Sequence, residues 1–357
     1  MYQTLRLALC LTGAWTALMC GPAAARDITI YSARDPALTV PILDVFTRQT
    51  GMPVNLVAFK SADEIAERLT SEGERSPADL IMAADVASLF SMVAKRLTQP
   101  TSFPSLEAAV PANLRHPTGQ WIGLSYRIRA IFVSKDRVTE LPSSYQDITD
   151  SRYQGRVCIR SGVHPYNAGL FGAMMLKEGH SSTAFFLQGL KHNLARTASG
   201  GDRDVARDIA NNVCDIGIAN TYYMGLMLSG AGGPDQKRWA EQVRVVLPTF
   251  ADGSGSHMNI SGVSVTRYAP NRSDAIVLLE YLLSEAAQQQ FADINFEYPV
   301  RPGVPINPIL RSFGTPKLDT TTLSAVAGSA PRVRELVASI EFDRQIAPTG
   351  PRPVAVR

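Results

Sequence analysis

Short apolar segments alternate with amphipathic segments between residues 27 and 97, and this alternation restricts the possible folds more than any other feature of the sequence. The apolar segments have the length of strands, whereas the amphipathic ones carry apolar side chains at helical spacing. In chain order the segments are 27–33, 40–51, 54–59, 61–73, 78–85 and 86–97. This order predicts a parallel sheet covered by helices on both faces. Sheets of this kind bind ligands at the carboxyl ends of their strands, so functional residues are expected there.

A second α/β unit is predicted after a long strand-like segment at residues 121–135. Its strand-like segments are 156–162 and 214–220, and its helix-like segments are 166–179 and 202–212. The last of these places Val205, Ile209 and Val213 on one face. A strand-like segment at 260–267 and a helix-like segment at 273–292 then indicate a return to the first unit.

The two units predict two α/β lobes between which the chain crosses. With 357 residues, of which 45% are hydrophobic, the chain is long enough for two cores. The predicted N-terminal lobe comprises residues 26–127 and 248–305, and the predicted C-terminal lobe comprises residues 128–247 and 306–345. The proline-rich residues 346–357 are predicted to form a loose tail.

The first 25 residues have the pattern of a secretory signal peptide. Arg6 precedes an apolar run from Leu7 to Met19, and Ala23–Ala25 resemble a cleavage site. The apolar run is too short and too interrupted to predict a membrane span. The mature protein is therefore expected to be exported. Cys20 leaves a lipoprotein cleavage site open as the alternative to soluble export, which the pattern favours.

Removal of residues 1–25 would leave two of the four cysteines, Cys158 and Cys214, in an oxidising compartment. They lie in two strand-like segments, so the expected arrangement is a disulfide that joins neighbouring strands. Two separate buried thiols are the alternative. Because no paired histidines lie near them in the sequence, the two cysteines do not predict a zinc site.

Enzymatic and nucleic-acid-binding functions find little support in the sequence. No G-x-S-x-G, H-E-x-x-H, G-x-x-x-x-G-K or C-x-x-C motif occurs. Of the five histidines, His116, His180 and His192 stand in polar contexts typical of the surface. The mature chain would carry 34 basic and 32 acidic residues without a basic run, which argues against a nucleic-acid partner.

Three tyrosines follow strand-like segments of the second unit. Tyr166 comes shortly after the segment 156–162, and the adjacent Tyr222 and Tyr223 come directly after the segment 214–220. Both junctions lead from a strand into a helix, where free backbone N–H groups favour an anion. A disulfide between the two segments would bring the three phenols to the same rim of a cleft.

Three phenols on one rim favour a hard trivalent cation. They are a poor acid–base set, because an unperturbed tyrosine has a pKa of about 10. A metal that prefers oxygen ligands deprotonates them on binding. Three phenolates balance the charge of Fe³⁺, and a divalent anion held by an arginine and by helix N-termini would complete six-coordination. Ordinary aromatic packing of the adjacent pair is the alternative.

Seven segments in the same order resemble the periplasmic ferric-iron-binding proteins of bacterial ABC importers. They are 28–34, 76–85, 121–134, 161–167, 218–225, 253–265 and 297–308. The resemblance extends from about Asp27 to about Pro308. It implies the two-lobed type II periplasmic-binding-protein fold, in which each lobe has a mixed, mainly parallel sheet flanked by helices. It also places the segment 125–129 near the hinge between the lobes.

The resemblance implies that Tyr222 and Tyr223 bind Fe³⁺ as the transported ligand and that Tyr166 is a third phenolate. Many relatives carry a histidine, or histidine and tyrosine, after the first strand, where this chain has Asp35. The Asp35 carboxylate is a weak candidate ligand, and the alternative is that it caps the helix behind Pro36. Other relatives use a glutamate as an iron ligand, and this chain has no counterpart of that glutamate. The N-terminal lobe is therefore expected to contribute few or no ligands.

The resemblance further implies a synergistic anion, carbonate or phosphate, bound beside the iron. The implied anion-binding residues are Ser161, Gly162, Asn220, Arg127 and Arg129. Arg129 is preferred over Arg127 as the binding arginine. The asparagine that some relatives use before the helix at 202–212 is replaced here by Gly201.

The function implied by the resemblance is non-enzymatic capture of Fe³⁺, as a monomer, for an ABC permease in the inner membrane. Two alternatives are a binding protein of the same fold for an organic or anionic solute, and an exported enzyme that uses tyrosine and arginine in its cleft. His164 and His257 are expected to be structural, and Tyr31 is expected to pack within its strand.

Overall fold

A computed structural model describes residues 27–345; the predicted signal peptide at 1–25 and the predicted tail at 346–357 lie outside these residues. The strands are β1 (Ile28–Ser32), β2 (Val54–Ala58), β3 (Leu80–Ala83), β4 (Thr98–Gln99), β5 (Ile122–Ser134), β6 (Val157–Cys158), β7 (Ile216–Asn220), β8 (Val243–Val246), β9 (Met258–Thr266) and β10 (Tyr298–Pro299). The helices are α1 (Val40–Thr50), α2 (Ala62–Glu72), α3 (Val86–Ala94), α4 (Pro104–Ala109), α5 (Pro165–His192), α6 (Asp202–Ala210), α7 (Thr221–Leu228), α8 (Pro234–Glu241), α9 (Arg272–Leu282), α10 (Glu285–Asn295), α11 (Pro308–Arg311), α12 (Leu323–Gly328) and α13 (Ala330–Ser339).

The first three strands form a parallel part of the sheet, as the alternating pattern predicts. β1 lies between β2 and β3 and pairs parallel with both. α1 ends before Gly51, whose φ of 74° is the left-handed conformation that glycine adopts most easily. α2 begins after Ser61, whose hydroxyl accepts a hydrogen bond from the backbone N–H of Glu64. The predicted order of three strands and three helices is thus confirmed.

Strands β5 and β9 connect the two halves of the molecule. The first part of the 13-residue β5 pairs antiparallel with β9 as far as Ile128, which lies opposite Met258. From Arg129, which lies opposite Asn220, β5 pairs antiparallel with β7 instead. The resulting strand order is β2-β1-β3-β9-β5-β7-β6. The change of partner between Ile128 and Arg129 falls in the segment that the resemblance places near the hinge.

The sheet is mixed, as the resemblance implies, but antiparallel pairings outnumber parallel ones among the described strands, which corrects the expectation of a mainly parallel sheet. Among the described strands, β1 with β2, β1 with β3, and β6 with β7 pair parallel. β5 and β9 run antiparallel to each other and to all the other described strands with which they pair. The correction has a physical reason: the hydrophobic pattern of a segment reports its buried faces, whereas its direction depends on which distant strand it pairs with.

Two large apolar cores lie on either side of this crossing. The first includes Ile30, Trp121 and Ile260, and the second includes Phe171 and Ile218. Helix α12 belongs to both cores: two of its buried residues, Leu323 and Ala327, pack in the first, and Val326 packs in the second. Helix α12 therefore packs against both lobes.

Two elements differ from the sequence predictions, and a third is longer than predicted. α6 ends at Ala210, so Val213 lies outside the helix with 40% of its surface exposed. The predicted single helix at 273–292 is two helices, because the Ser284 hydroxyl accepts from the backbone N–H of Ala287 and starts α10. α5 continues to His192, but it is interrupted at Gly179, whose φ is 84° and at which the predicted helix ends. Local capping at Ser284 thus divides what the apolar pattern joins.

The predicted disulfide between Cys158 and Cys214 is confirmed, with 5.8 Å between the two Cα atoms. Cys158 is the last residue of β6, and β7 begins at Ile216, two residues after Cys214. The two strands pair parallel. The bridge therefore fixes the two strands that precede the three tyrosines. Of the helices within residues 27–345, none is long and apolar enough to cross a membrane.

Candidate metal centre

The three tyrosines lie in the first turns of α5 and α7. The buried strand β7 ends at Asn220, and Tyr222 and Tyr223 are the second and third residues of α7. Their ring centroids are 4.0 Å apart with an interplanar angle of 31°. Tyr166 is the second residue of α5, which starts with Pro165 behind His164 as the capping residue. Both helices therefore present phenols at the ends of neighbouring strands.

The phenols of Tyr166, Tyr222 and Tyr223 interact electrostatically with one another. Burial raises the pKa of Tyr222 well above its ordinary value, and the pKa of Tyr223 to about 12. The nearby phenol of Tyr166 raises both pKa values further. Ionisation of one phenol therefore opposes ionisation of the others. At neutral pH Tyr222 and Tyr223 carry their protons unless a cation displaces them.

Four arginines surround this phenol cluster, which consists of Tyr166, Tyr222 and Tyr223. The guanidinium carbons of three of them lie 5.0 to 6.0 Å from the centroid of the Tyr166 ring: Arg127, Arg129 and Arg160. The guanidinium of Arg203 lies 5.0 Å from the centroid of the Tyr223 ring. Such cations stabilise a phenolate beside them. Arg160 and Arg203 were not predicted from the sequence, although each stands at a strand end or helix start on this edge.

Arg129 is fully engaged with protein groups. Its Nη1 donates to Asp202 Oδ2 at 2.6 Å and to Asn220 Oδ1 at 3.2 Å, and its Nη2 donates to Asn167 Oδ1 at 2.5 Å. Burial alone would raise the pKa of Asp202, but the charges of Arg129 and Arg160 lower it. The charge of Arg129 is thus already balanced inside the protein, which disfavours the predicted preference for Arg129 as the anion-binding arginine.

Arg127 retains free donors. Its Nη1 donates to Ser261 Oγ at 2.8 Å, whereas its buried Nε and Nη2 have no hydrogen-bond partner among residues 27–345. Ser261 in turn donates to Glu297 at 3.2 Å, and Glu297 also accepts from Arg34 at 2.5 Å. Burial alone would raise the pKa of Glu297, but Arg34 and Arg127 lower it. Arg127 is therefore held in place while two donors remain for a ligand. The sequence carried no sign of the roles of Arg34 and Glu297.

Of the other predicted anion-binding residues, Ser161 and Gly162 are turned away from the phenol cluster, whereas Asn220 directly precedes α7. Ser161 Oγ and the backbone N–H of Gly162 both donate to the carboxylate of Asp343, each at 2.7 Å. The backbone N–H of Asn220 donates to Asp202 Oδ2 at 2.7 Å. The structure thus brings Asn220 and Arg127 to the phenol cluster, and it brings Ser161 and Gly162 to the end of the described chain.

Asp35 lies on the surface and caps the short helical turn Pro36–Leu38. Its Oδ1 accepts from the backbone N–H of Ala37 at 3.0 Å. The structure thus shows the capping arrangement, the alternative considered from the sequence. Asp85, in the N-terminal lobe, likewise caps α3 by accepting from Ser88 N at 2.9 Å. In the described part of the chain no group of three or more His, Cys, Asp or Glu could hold a metal ion.

A cleft of about 860 Å³ lies beside Tyr166. Its walls include Lys60 and Ser61 from the first unit and His164 and Tyr166 from the second. His164 accepts from the backbone N–H of Tyr166 at 3.2 Å, so it is a helix cap. Burial, followed by the charge of Arg160, lowers the pKa of His164 to about 3, so it is neutral at ordinary pH.

His257 and Tyr31 are packed as expected. His257 is 3% exposed, and burial lowers its pKa to about 3. The Tyr31 hydroxyl donates to Glu72 at 2.9 Å. Neither side chain belongs to the phenol cluster.

The chain belongs to the family of bacterial extracellular solute-binding proteins. The sequence pattern of this family matches residues 75–310. It is 40% identical to iron uptake protein A1 of Synechocystis sp. over 303 residues, which are 85% of this chain and 83% of the relative. Among solved structures, a Bordetella ferric binding protein is 44% identical with a TM-score of 0.82, covering 89% of this chain and 100% of that one. A Trichodesmium protein, IdiA or FutA, in complex with iron and citrate is 35% identical with a TM-score of 0.83, covering 89% and 100%.

These likenesses confirm two predictions. The protein has the two-lobed type II periplasmic-binding-protein fold. It also belongs among solute-binding transport proteins rather than enzymes, as the missing catalytic motifs indicated.

Proposed function

We propose that this protein captures Fe³⁺ in the periplasm, as a monomer, and delivers it to an ABC permease in the inner membrane. The ligands are the phenolates of Tyr166, Tyr222 and Tyr223. The observation that carries the proposal is the phenol cluster itself, which is partly buried, electrostatically coupled and surrounded by arginines. The names of the Synechocystis and Bordetella relatives support iron as the cargo.

The raised pKa values select the kind of cation. With the pKa of Tyr223 at about 12, a metal must displace its proton at neutral pH, which favours a strongly polarising, oxygen-preferring ion. Three phenolates carry three negative charges, which a trivalent ion neutralises and a divalent ion does not. The surrounding arginines stabilise the phenolates and would repel a cation that is not neutralised. Fe³⁺ satisfies both conditions.

Arg127 is the proposed anion-binding residue. Its free Nε and Nη2 form the two-donor fork that suits an oxyanion such as carbonate or phosphate, and the fork lies beside the ring of Tyr166. The nearby N-terminus of α5 adds a favourable dipole. A polycarboxylate is the second candidate anion, favoured by the cleft of about 860 Å³ and by the Trichodesmium relative that holds iron and citrate.

The proposed ligand set lies on the C-terminal side of the cleft. Asp35 is occupied as a helix cap and stays outside the set. Coordination positions that the phenolates leave open are then filled by the anion and by water. Iron binding therefore requires no protein ligand from the N-terminal lobe.

The test is the visible spectrum of the purified protein with ferric nitrilotriacetate and bicarbonate. We expect a red-orange colour from phenolate-to-iron charge transfer, with one iron per protein by metal analysis. Tyr222→Phe combined with Tyr223→Phe should abolish the band. Tyr268→Phe is the matched control, because Tyr268 is exposed and packs against Arg267 instead. A colourless wild type, or a double variant with an unchanged band, would refute the proposal; an organic solute found by mass spectrometry in place of iron would favour the alternative.

A further inference from the structure

The carboxylate of Asp343 accepts two hydrogen bonds from the loop that precedes Tyr166. Its Oδ2 accepts from Ser161 Oγ and its Oδ1 accepts from the backbone N–H of Gly162, both at 2.7 Å. The loop joins β6 to α5, and Tyr166 is the second residue of that helix. Asp343 is 181 residues from Gly162 in the sequence. One carboxylate thus fastens the end of the described chain to the approach of a proposed iron ligand.

The turn before Asp343 fixes its position. Glu341 has a φ of 49°, so the chain reverses there after α13. Phe342 is fully buried, and its ring centroid lies 6.1 Å from that of Phe171 on α5. A Cβ atom on Gly162 would lie 2.8 Å from Phe342 Cδ1, so the turn and the loop are in close contact. Asp343 is therefore presented to the loop by a residue anchored in the core.

The loop position is passed on to the first turn of α5. The carbonyl oxygen of Ser161 accepts from the backbone N–H of His164 at 3.2 Å and from Asn167 Nδ2 at 3.1 Å. His164 in turn caps the helix at Tyr166. A displacement of Ser161 therefore moves His164 and Asn167, which lie on either side of Tyr166 in the first turn of α5.

We propose that Asp343 is a positioning residue for the iron site. By holding Ser161 and Gly162 through two hydrogen bonds to a charged acceptor, it keeps the first turn of α5 where Tyr166 can join Tyr222 and Tyr223 on one cation. The same contact occupies donors that could otherwise bind a free anion, which leaves that role to Arg127. The inference rests on the proposed function.

The experiment compares Asp343→Ala with the wild type in full-length mature protein. Iron affinity is measured by competition with nitrilotriacetate at fixed bicarbonate, together with the charge-transfer band and the Tm of the apo form. We expect Asp343→Ala to weaken iron binding about tenfold, as loss of a group that orients a metal ligand does, and to reduce the band. Asp343→Asn, which keeps one acceptor, should retain part of the affinity. Glu341→Gln is the control, because the Glu341 carboxylate pairs only with the exposed Arg344 within the described chain.

A double-mutant cycle separates positioning from stability. In a Tyr166→Phe background, Asp343→Ala should cost no further affinity, because the group that it positions no longer ligates. If Asp343→Ala lowers Tm while affinity and band remain unchanged, Asp343 only stabilises the chain and the inference is wrong. If Asp343→Ala does not fold, Ser161→Ala replaces it, because it removes one of the two hydrogen bonds to Asp343. Ser161→Ala should weaken iron binding by a smaller factor. Unchanged iron affinity in Ser161→Ala would also overturn the inference. A wild type without a band refutes the iron function itself, which is a distinguishable outcome.

Discussion

Arg127 and Arg129 show how two arginines on the same strand acquire different roles. Both are almost fully buried on β5. Arg129 meets the buried carboxylate of Asp202 directly, whereas Arg127 reaches Glu297 only through Ser261. Glu297 is shared with Arg34. Of these two arginines, Arg127 is therefore the better candidate to bind an anion.

We predict that Arg127→Gln weakens iron binding and removes its dependence on bicarbonate. The variant keeps one donor but loses the charge and the fork, and loss of a charge-assisted contact costs about 1.5–3 kcal/mol, or roughly ten- to a hundredfold in affinity. Affinity measured over a series of bicarbonate concentrations tests this. Arg129→Gln should instead lower Tm, because it removes one of two guanidinium partners of the buried Asp202 carboxylate. Bicarbonate dependence that persists in Arg127→Gln would contradict the assignment.

Helix α7 is placed by a close contact at a glycine. A Cβ atom on Gly225 would lie 2.3 Å from Cβ of Phe296. Phe296 follows α10 in a left-handed conformation with a φ of 54° and is 6% exposed, so it has little freedom to move. The position of Tyr222 and Tyr223 thus depends on the absence of a side chain at Gly225.

Gly225→Ala is therefore expected to destabilise the protein by about 1–3 kcal/mol, as overpacking of a core does, and to weaken the charge-transfer band by displacing α7. Gly328→Ala in α12 is the control, since the nearest atom to its Cβ would be Phe90 Cζ at 4.0 Å. Alanine is preferred to glycine in helices, so the control should be neutral or slightly stabilising. Thermal unfolding and the visible spectrum of both variants decide the matter. Equal Tm values for the two variants would show that α7 accommodates the methyl group.

The structural elements that depend on local sequence pattern are the ones that the sequence predicts. The strand–helix alternation of the first unit and the position of Tyr222 after β7 are both properties of short segments, and both are predicted correctly. Arg129 pairs with Asp202, which is 73 positions away in the sequence, and Ser161 pairs with Asp343, which is 182 positions away. Such contacts depend on the folded arrangement of several elements, so nothing in the neighbourhood of either residue indicates them. Candidate anion-binding residues are for this reason harder to predict from the sequence than candidate metal ligands.

The whole molecule is tied together across its two cores by β5, β9 and α12. Both strands run through the junction of the two halves of the sheet, and α12 contributes side chains to both cores. A ligand bound near the point where β5 changes partner therefore stabilises the folded protein as a unit. By mass action, this stabilisation grows with the ratio of ligand concentration to dissociation constant.

The pH dependence of stability should differ in sign between the apo and iron-loaded protein. In the apo form, the raised pKa values of Tyr222 and Tyr223 contribute stability below the unfolded pKa of about 10, and this contribution is lost as pH rises through the folded values. Iron displaces up to three protons, so its affinity falls by up to about a thousandfold for each pH unit of acidification.

We expect the Tm difference between the iron-loaded and apo forms to be large near pH 8 and to disappear near pH 5. His257, with a pKa lowered to about 3, destabilises the protein as pH falls below about 6.5, but it does so in both forms and cancels in the difference. Scanning calorimetry of the two forms across this range provides the test, and proton release on iron addition, measured in weak buffer, should approach three per iron. A Tm difference that stays constant from pH 8 to pH 5 would show that the bound cation does not compete with protons for the phenols.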